Sequence, residues 1–192
     1  MNNLYKNIEP LIANEVYKQP RQRKTILERY YVIDERFNDK YVVVYVNRRT
    51  GEAIMGIRGT DPTKLRDIIT DIRMGIGQDL EGMGRYKEIE NAYHKFIKKY
   101  PHNSRVVGHS LGANIGEVIA RKNPYKSQFS LFNKGASPLM KQKELENAFI
   151  RNYRIEKDPI SLLGKKGLVL KPKEKGASAL ERHSIEQFIN RN

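Results

Sequence analysis

An α/β fold, with one mixed but mostly parallel sheet and helices on both faces, is what the order of patterns along this chain predicts. Three observations carry the prediction. Strand and helix periodicities alternate from residue 63 to residue 157, the signature of βαβ units around a parallel sheet. Two strand patterns at 41–46 and 52–57 flank Asn47-Arg48-Arg49-Thr50-Gly51, a turn sequence that folds them back into a hairpin. Finally, Gly108-His109-Ser110-Leu111-Gly112 stands between a short apolar strand pattern and a helical one. A chain of 192 residues fits one domain spanning 1–192, large enough to bury about 70% of its unfolded surface.

The elements follow in order. Leu4, Ile8, Leu11 and Val16 mark an amphipathic helix at the start. Residues 41–46 form the strongest strand, and Ala53-Ile54-Met55-Gly56-Ile57 reads as a central one. That strand ends at Arg58-Gly59-Thr60-Asp61-Pro62, where proline suits the first position of a helix over 63–73. A second helix is expected over 85–99 and a buried strand over 105–109. Leu111, Ile115, Val118 and Ile119 recur at helical spacing behind it. A strand at 129–132, a helix at 138–150 and a strand at 153–157 complete the alternation. The last strand runs into Asp158-Pro159, where proline stops the ladder and leaves Asp158 at the strand's end. Ser184 with Gln187 three residues later reads as a capping box, which puts His183 in the turn before a final helix.

The glycine-flanked serine carries the chemistry. The five letters G-x-S-x-G alone occur by chance in about one chain in twenty of this length. Strand, sharp turn and helix around them make a nucleophile elbow, which exposes a serine hydroxyl. Gly108 and Gly112 leave room where side chains would strike neighbouring backbone, with His109 between Gly108 and the serine. In this architecture the acid and then the histidine follow the serine. Of the four histidines only His183 lies beyond Ser110, and Asp158 is the only aspartate there. Ser110, Asp158 and His183 are therefore the only Ser–Asp–His assignment; several glutamates also follow Ser110, so a glutamate at the acid position stays open. Acyl transfer also needs donors aimed at a developing oxyanion. The backbone N–H of Leu111 is one candidate, and Thr60, through its N–H and hydroxyl, is the other. Thr60 equally suits the N-cap region of the helix that Pro62 begins.

Arg58-Gly59-Thr60 together with Gly108-His109-Ser110-Leu111-Gly112 resembles the class 3 lipase family of α/β-hydrolases. Asp158-Pro159 and the late His183 fit the same pattern, and the resemblance covers roughly residues 40–190. It implies an α/β-hydrolase-type fold with a short lid, and a serine hydrolase of carboxylic esters, typically acylglycerols or phospholipids, acting through an acyl-enzyme. On that resemblance Ser110 is the nucleophile, His183 the base and then the acid, and Asp158 the group that orients the imidazole. Thr60 and the Leu111 N–H form the oxyanion hole. Ala113 stands where the family often has a second glycine, and no tryptophan follows Arg58-Gly59-Thr60. Compact lipase-like chains of this kind resemble those of microbes and large viruses.

Between residues 72 and 86, Met74, Ile76, Leu80 and Met83 alternate with Gly75, Gly77, Gly82 and Gly84. Apolar side chains between glycine hinges suit a small lid; a loose connection with a few residues tucked into the core fits equally. With 39% hydrophobic and 30% charged residues the composition is that of a globular protein. No apolar run spans a bilayer and no signal core opens the chain, so a cytoplasmic or virion-associated location is expected. The absence of cysteine excludes disulfides and thiolate metal sites. The histidines lack metal-ligand spacing, and no metal or cofactor is expected.

The charge is +14, with a sequence pI near 9.9, a field that favours polyanions or anionic membrane surfaces. Lys165, Lys166, Lys171, Lys173 and Lys175 outnumber Glu174 between Asp158 and His183. They read either as a headgroup-binding rim or as a solvated lysine face. No zinc pair or aromatic ribonucleoprotein signature is present, which argues against nucleic acid. Two function classes result: an ester hydrolase acting on lipid or small ester substrates, and a non-catalytic basic binding protein for nucleic acid, capsid or anionic membrane that keeps a hydrolase-like fold. The oligomeric state is open at this level.

Overall fold

The computed structural model describes residues 8–26, 30–60, 84–124, 126–135, 149–161 and 167–189. Its centre is a seven-stranded sheet in which spatial order equals chain order. The strands are β1 (Tyr31–Ile33), β2 (Val42–Asn47), β3 (Ala53–Ile57), β4 (Ser104–His109), β5 (Gln128–Phe132), β6 (Ile150–Ile155) and β7 (Leu168–Leu170). β1 with β2 and β2 with β3 are antiparallel, and β3 through β7 are parallel. The helices are α1 (Ile8–Glu15), α2 (Gly84–Lys99), α3 (Leu111–Lys122) and α4 (Ala179–His183).

Sequential order has a consequence for the faces. Crossovers between parallel strands are right-handed, so strands added always on the same side place their connecting helices on one face. α2 and α3 share that face: Tyr86, Ile89, Tyr93 and Phe96, then Ile115 and Ile119, pack on Val42, Val44, Met55, Ile57 and Val106. The opposite face would be bare, and the two ends of the chain cover it. Ile8, Ile12 and Val16, with Ile185 and Phe188, pack on Val43, Tyr45, Ile54 and Val107. The strands alternate accordingly, with odd and even residues feeding the two cores.

The register aligns the carboxyl ends of the central strands. Ile57 pairs with Gly108, His109 with Phe132, and Phe132 with Tyr153. Arg58-Gly59-Thr60, Ser110 and Asn133 therefore leave the sheet side by side, at the edge where ligands bind in open parallel sheets.

Some expectations need correction. The first helix buries Ile8, Ile12, Ala13 and Val16 while Leu11 is half-exposed, because the buried positions step by four. The strand expected over 153–157 is β6, shifted back to start at Ile150; it pairs with β5 over Phe129–Phe132 and ends at Ile155. β1 and β7 were not foreseen. The helix expected over 63–73, the bulk of the lid segment, the helix expected up to residue 148, Lys165 and Lys166 lie outside the described residues, though Gly84, Arg85 and Tyr86 open α2. Among the described residues no helix is long and apolar enough to cross a membrane.

Candidate active site

The turn from β4 to α3 has a single residue between strand and helix. Ser110 has φ 56° and ψ −126°, a conformation that costs an L-residue about 1–3 kcal/mol. Hydrogen bonds on both sides over-determine it: its N–H donates to the Phe132 carbonyl at 3.0 Å, and its carbonyl accepts from Ala113 and Asn114 at 3.0 and 3.2 Å. The flanking glycines permit the approach. A Cβ on Gly112 would stand 2.4 Å from the Ile57 carbonyl oxygen, and one on Gly108 would stand 2.6 Å from the Gly112 oxygen. Helix, strand and turn are thus pressed together until only glycine fits, and the serine side chain is thrown clear of its own backbone. The N–H of Leu111 opens α3, where no carbonyl of the helix can reach it.

The end of β3 lies against this turn. A Cβ on Gly59 would come within 3.3 Å of Ser110 Cβ, and Thr60, half-buried, follows directly. Arg85, the second residue of α2, donates to the carbonyls of Arg58 and Gly59. Its guanidinium lies 4.9 Å above the Tyr41 ring.

Asp158 follows β6 in a turn. Its N–H donates to the Ile155 carbonyl at 3.2 Å, and Lys157 takes the left-handed conformation at φ 59°. That turn, rather than Pro159, ends the strand. The carboxylate accepts from the N–H of Ser161 at 3.0 Å. His183 Nδ1 lies 3.1 and 3.2 Å from its two oxygens. Both side chains are completely buried. Burial alone would raise the Asp158 carboxyl, but the hydrogen bonds from His183 and Ser161 outweigh it and hold the group below the usual carboxylate range. An ionised carboxylate only accepts, so Nδ1 of His183 donates to it and Nε2 is the nitrogen left to exchange a proton.

His183 ends α4 instead of preceding a final α-helix. The capping box belongs to α4, where Ser178 and Glu181 exchange hydrogen bonds. The one expected at Ser184 and Gln187 is not formed. Ser184 caps a 3-10 turn, Ile185–Phe188, through the Glu186 N–H, and the Gln187 side chain accepts from the Lys173 N–H at 2.9 Å instead. Of the lysine-rich segment, Lys171, Lys173 and Lys175 are exposed, and Lys173 Nζ donates to the carbonyls of Glu186 and Ile189 at 2.6 Å on the surface.

His109 and His183 have ring centroids 4.9 Å apart. Asn133, just past β5 at φ 43°, donates to the Arg182 and His183 carbonyls at 3.0 and 3.1 Å and accepts from the Ile155 N–H at 2.9 Å. It ties the ends of β5 and β6 to the His183 turn. Sequence reasoning missed Tyr17, Asn133 and Arg85; only the asparagine's tolerance of positive φ hints at its place.

Ser110 Oγ and His183 Nε2 are both buried without a hydrogen-bond partner among the described residues. No hydrogen bond joins them to each other. Such atoms are rare in folded proteins, and here two of complementary chemistry occur, a hydroxyl in the turn after β4 and an imidazole nitrogen at the end of α4.

Neither a family model nor a curated protein matches the sequence. Solved structures match the fold. The native Rhizomucor miehei lipase propeptide complex aligns at a TM-score of 0.54 and 14% identity, over 88% of this chain and 67% of that one. Lip2 lipase from Yarrowia lipolytica aligns at 0.48 and 16% identity, over 83% of this chain and 75% of that one. At 14% identity the likeness to the first is one of fold, and the mixed, mostly parallel sheet is of the α/β-hydrolase type.

Proposed function

We propose that the chain is a serine hydrolase of carboxylic esters, acting on lipid or small ester substrates. The observation that carries the reading is the state of His183: Asp158 holds its Nδ1, while its Nε2 and Ser110 Oγ are both buried without a partner among the described residues. Apo hydrogen bonds at such sites are often long and tighten in complexes. In the proposed reaction Ser110 Oγ attacks the ester carbonyl carbon while His183 Nε2 takes its proton. The N–H of Leu111 and Thr60 stabilise the oxyanion of the tetrahedral intermediate. Cleavage of the C–O bond sends the Nε2 proton to the leaving alcohol and leaves the acyl group on Ser110. Water, deprotonated by the same nitrogen, releases the carboxylic acid and restores the serine. Asp158 keeps the imidazole in the required tautomer throughout.

The charge of +14 suits an anionic lipid surface. Turnover of p-nitrophenyl butyrate and release of fatty acid from phosphatidylglycerol vesicles test the reading. Hydrolysis that disappears in Ser110→Ala supports it. Folded protein that binds the vesicles or a polyanion but hydrolyses neither substrate, with detergent present, returns the chain to the class of basic binding proteins.

A further inference from the structure

We propose that Tyr17 and His109 are positioning residues that hold the backbone of His183 and tie it to the end of β3. The inference rests on the hydrolase reading for its purpose, though not for its geometry.

His109 occupies the x position of the elbow, next to Ser110, yet its side chain is buried with a partner on each ring nitrogen. It is 1% exposed. Nε2 lies 2.7 Å from the His183 carbonyl oxygen, and Nδ1 lies 2.8 Å from the Tyr17 hydroxyl. The partners fix the proton. A carbonyl oxygen only accepts, so Nε2 carries the hydrogen; Nδ1 of the neutral ring then accepts, and Tyr17 donates. One tautomer satisfies both bonds. Burial first, and the neighbouring His183 second, push the imidazole down to about 3, so it stays neutral at any ordinary pH.

Tyr17 follows α1 and reaches the elbow from the other face of the sheet. A Cβ on Gly59 would stand 2.3 Å from its hydroxyl and 2.4 Å from the His109 carbonyl oxygen. Its ring also carries the Arg58 guanidinium at 6.0 Å. The tyrosine therefore touches the strand end that precedes Thr60 and, through His109, the residue that carries the proposed base. The His183 carbonyl has two donors, His109 and Asn133, and its ring has a third anchor in Asp158. Backbone and ring fixed together leave Nε2 one position. A displacement of about 1 Å at a reacting group costs on the order of 100-fold, which is the scale on which this support acts.

The test uses His109→Leu, which removes both bonds, His109→Gln, whose amide keeps a donor near Nε2, and Tyr17→Phe. With p-nitrophenyl butyrate, His109→Leu is expected to lower kcat about 10- to 100-fold with KM changed less than about twofold. His109→Gln should restore most of that loss, and Tyr17→Phe should lose less than His109→Leu. A readout independent of turnover is the low-field proton resonance of His183 Nδ1–H, assigned by its disappearance in His183→Ala. It should broaden in His109→Leu and Tyr17→Phe and return in His109→Gln. Wild-type kcat and an unchanged resonance in His109→Leu overturn the inference. So does an equal loss in all His109 variants with kcat and KM moving together, which is packing alone. Should His109→Leu not fold, an unchanged resonance in Tyr17→Phe overturns it. A wild-type protein inert to the ester removes the hydrolase reading instead, and the resonance still decides the positioning role.

Discussion

His109 and His183 make an instructive pair of regions, the elbow and the C-terminal turn. Both rings are buried, one on the last residue of β4 and the other on the last of α4, and their centroids are 4.9 Å apart. The elbow histidine has a partner on each nitrogen, Tyr17 and the His183 carbonyl, and burial keeps it uncharged. The other has its Nδ1 on a carboxylate and its Nε2 without a partner among the described residues. Burial is common to both, so it does not distinguish a base from a support. What distinguishes them is an uncommitted nitrogen opposite an anchored one.

The comparison breaks first on activity. Ser110→Ala and His183→Ala are each expected to lower kcat by about 10⁴- to 10⁶-fold, while His109→Gln should remain within about tenfold of wild type; initial rates on p-nitrophenyl butyrate decide. Thr60→Val is the next largest. It should remove about 3 kcal/mol of transition-state stabilisation, read from kcat/KM, if the hydroxyl faces the oxyanion. The elbow's packing can be stressed separately. Gly112→Ala drives a methyl group to 2.4 Å from the Ile57 oxygen and should cost about 1–3 kcal/mol in urea denaturation. Gly84→Ala, where an added Cβ meets nothing within 4 Å among the described residues, should cost none.

The smallest effect is a pH dependence. His109 is held down from its ordinary 6.5 to about 3, so between those values the unfolded chain accepts a proton that the folded protein refuses. The stability that its neutral burial contributes is complete above pH 6.5 and is lost as pH falls toward about 3. The stability difference between wild type and His109→Gln should shrink by up to about 1.4 kcal/mol per pH unit across that window. Denaturation midpoints at pH 4, 5, 6 and 7 measure it, and a difference independent of pH contradicts a neutral, buried His109.

What was legible in the sequence was local. The hairpin of β2 and β3, the strand β4, α2 and α3 each follow from an uninterrupted period within a few residues, and the elbow follows from glycines that only close backbone contact explains. β1 and β7 escaped notice because three residues carry no period; pairing with β2 and β6 makes them strands. In the site, Ser110, Asp158 and His183 emerged from residue order. Tyr17 and Asn133 did not, since they act on partners 92 and 50 residues away and no spacing records such contacts. The capping box at Ser184 misled for a related reason: Lys173 claims Gln187 from outside the segment.

Fluorophosphonate labelling tests the central claim most directly, run on wild type, Ser110→Ala, His183→Ala and His109→Gln, with the adduct located by peptide mass. The account predicts a single adduct on Ser110 in wild type and His109→Gln, and none in Ser110→Ala or His183→Ala. An unlabelled wild-type protein that is folded, or a His183→Ala protein labelled as fast as wild type, would contradict it.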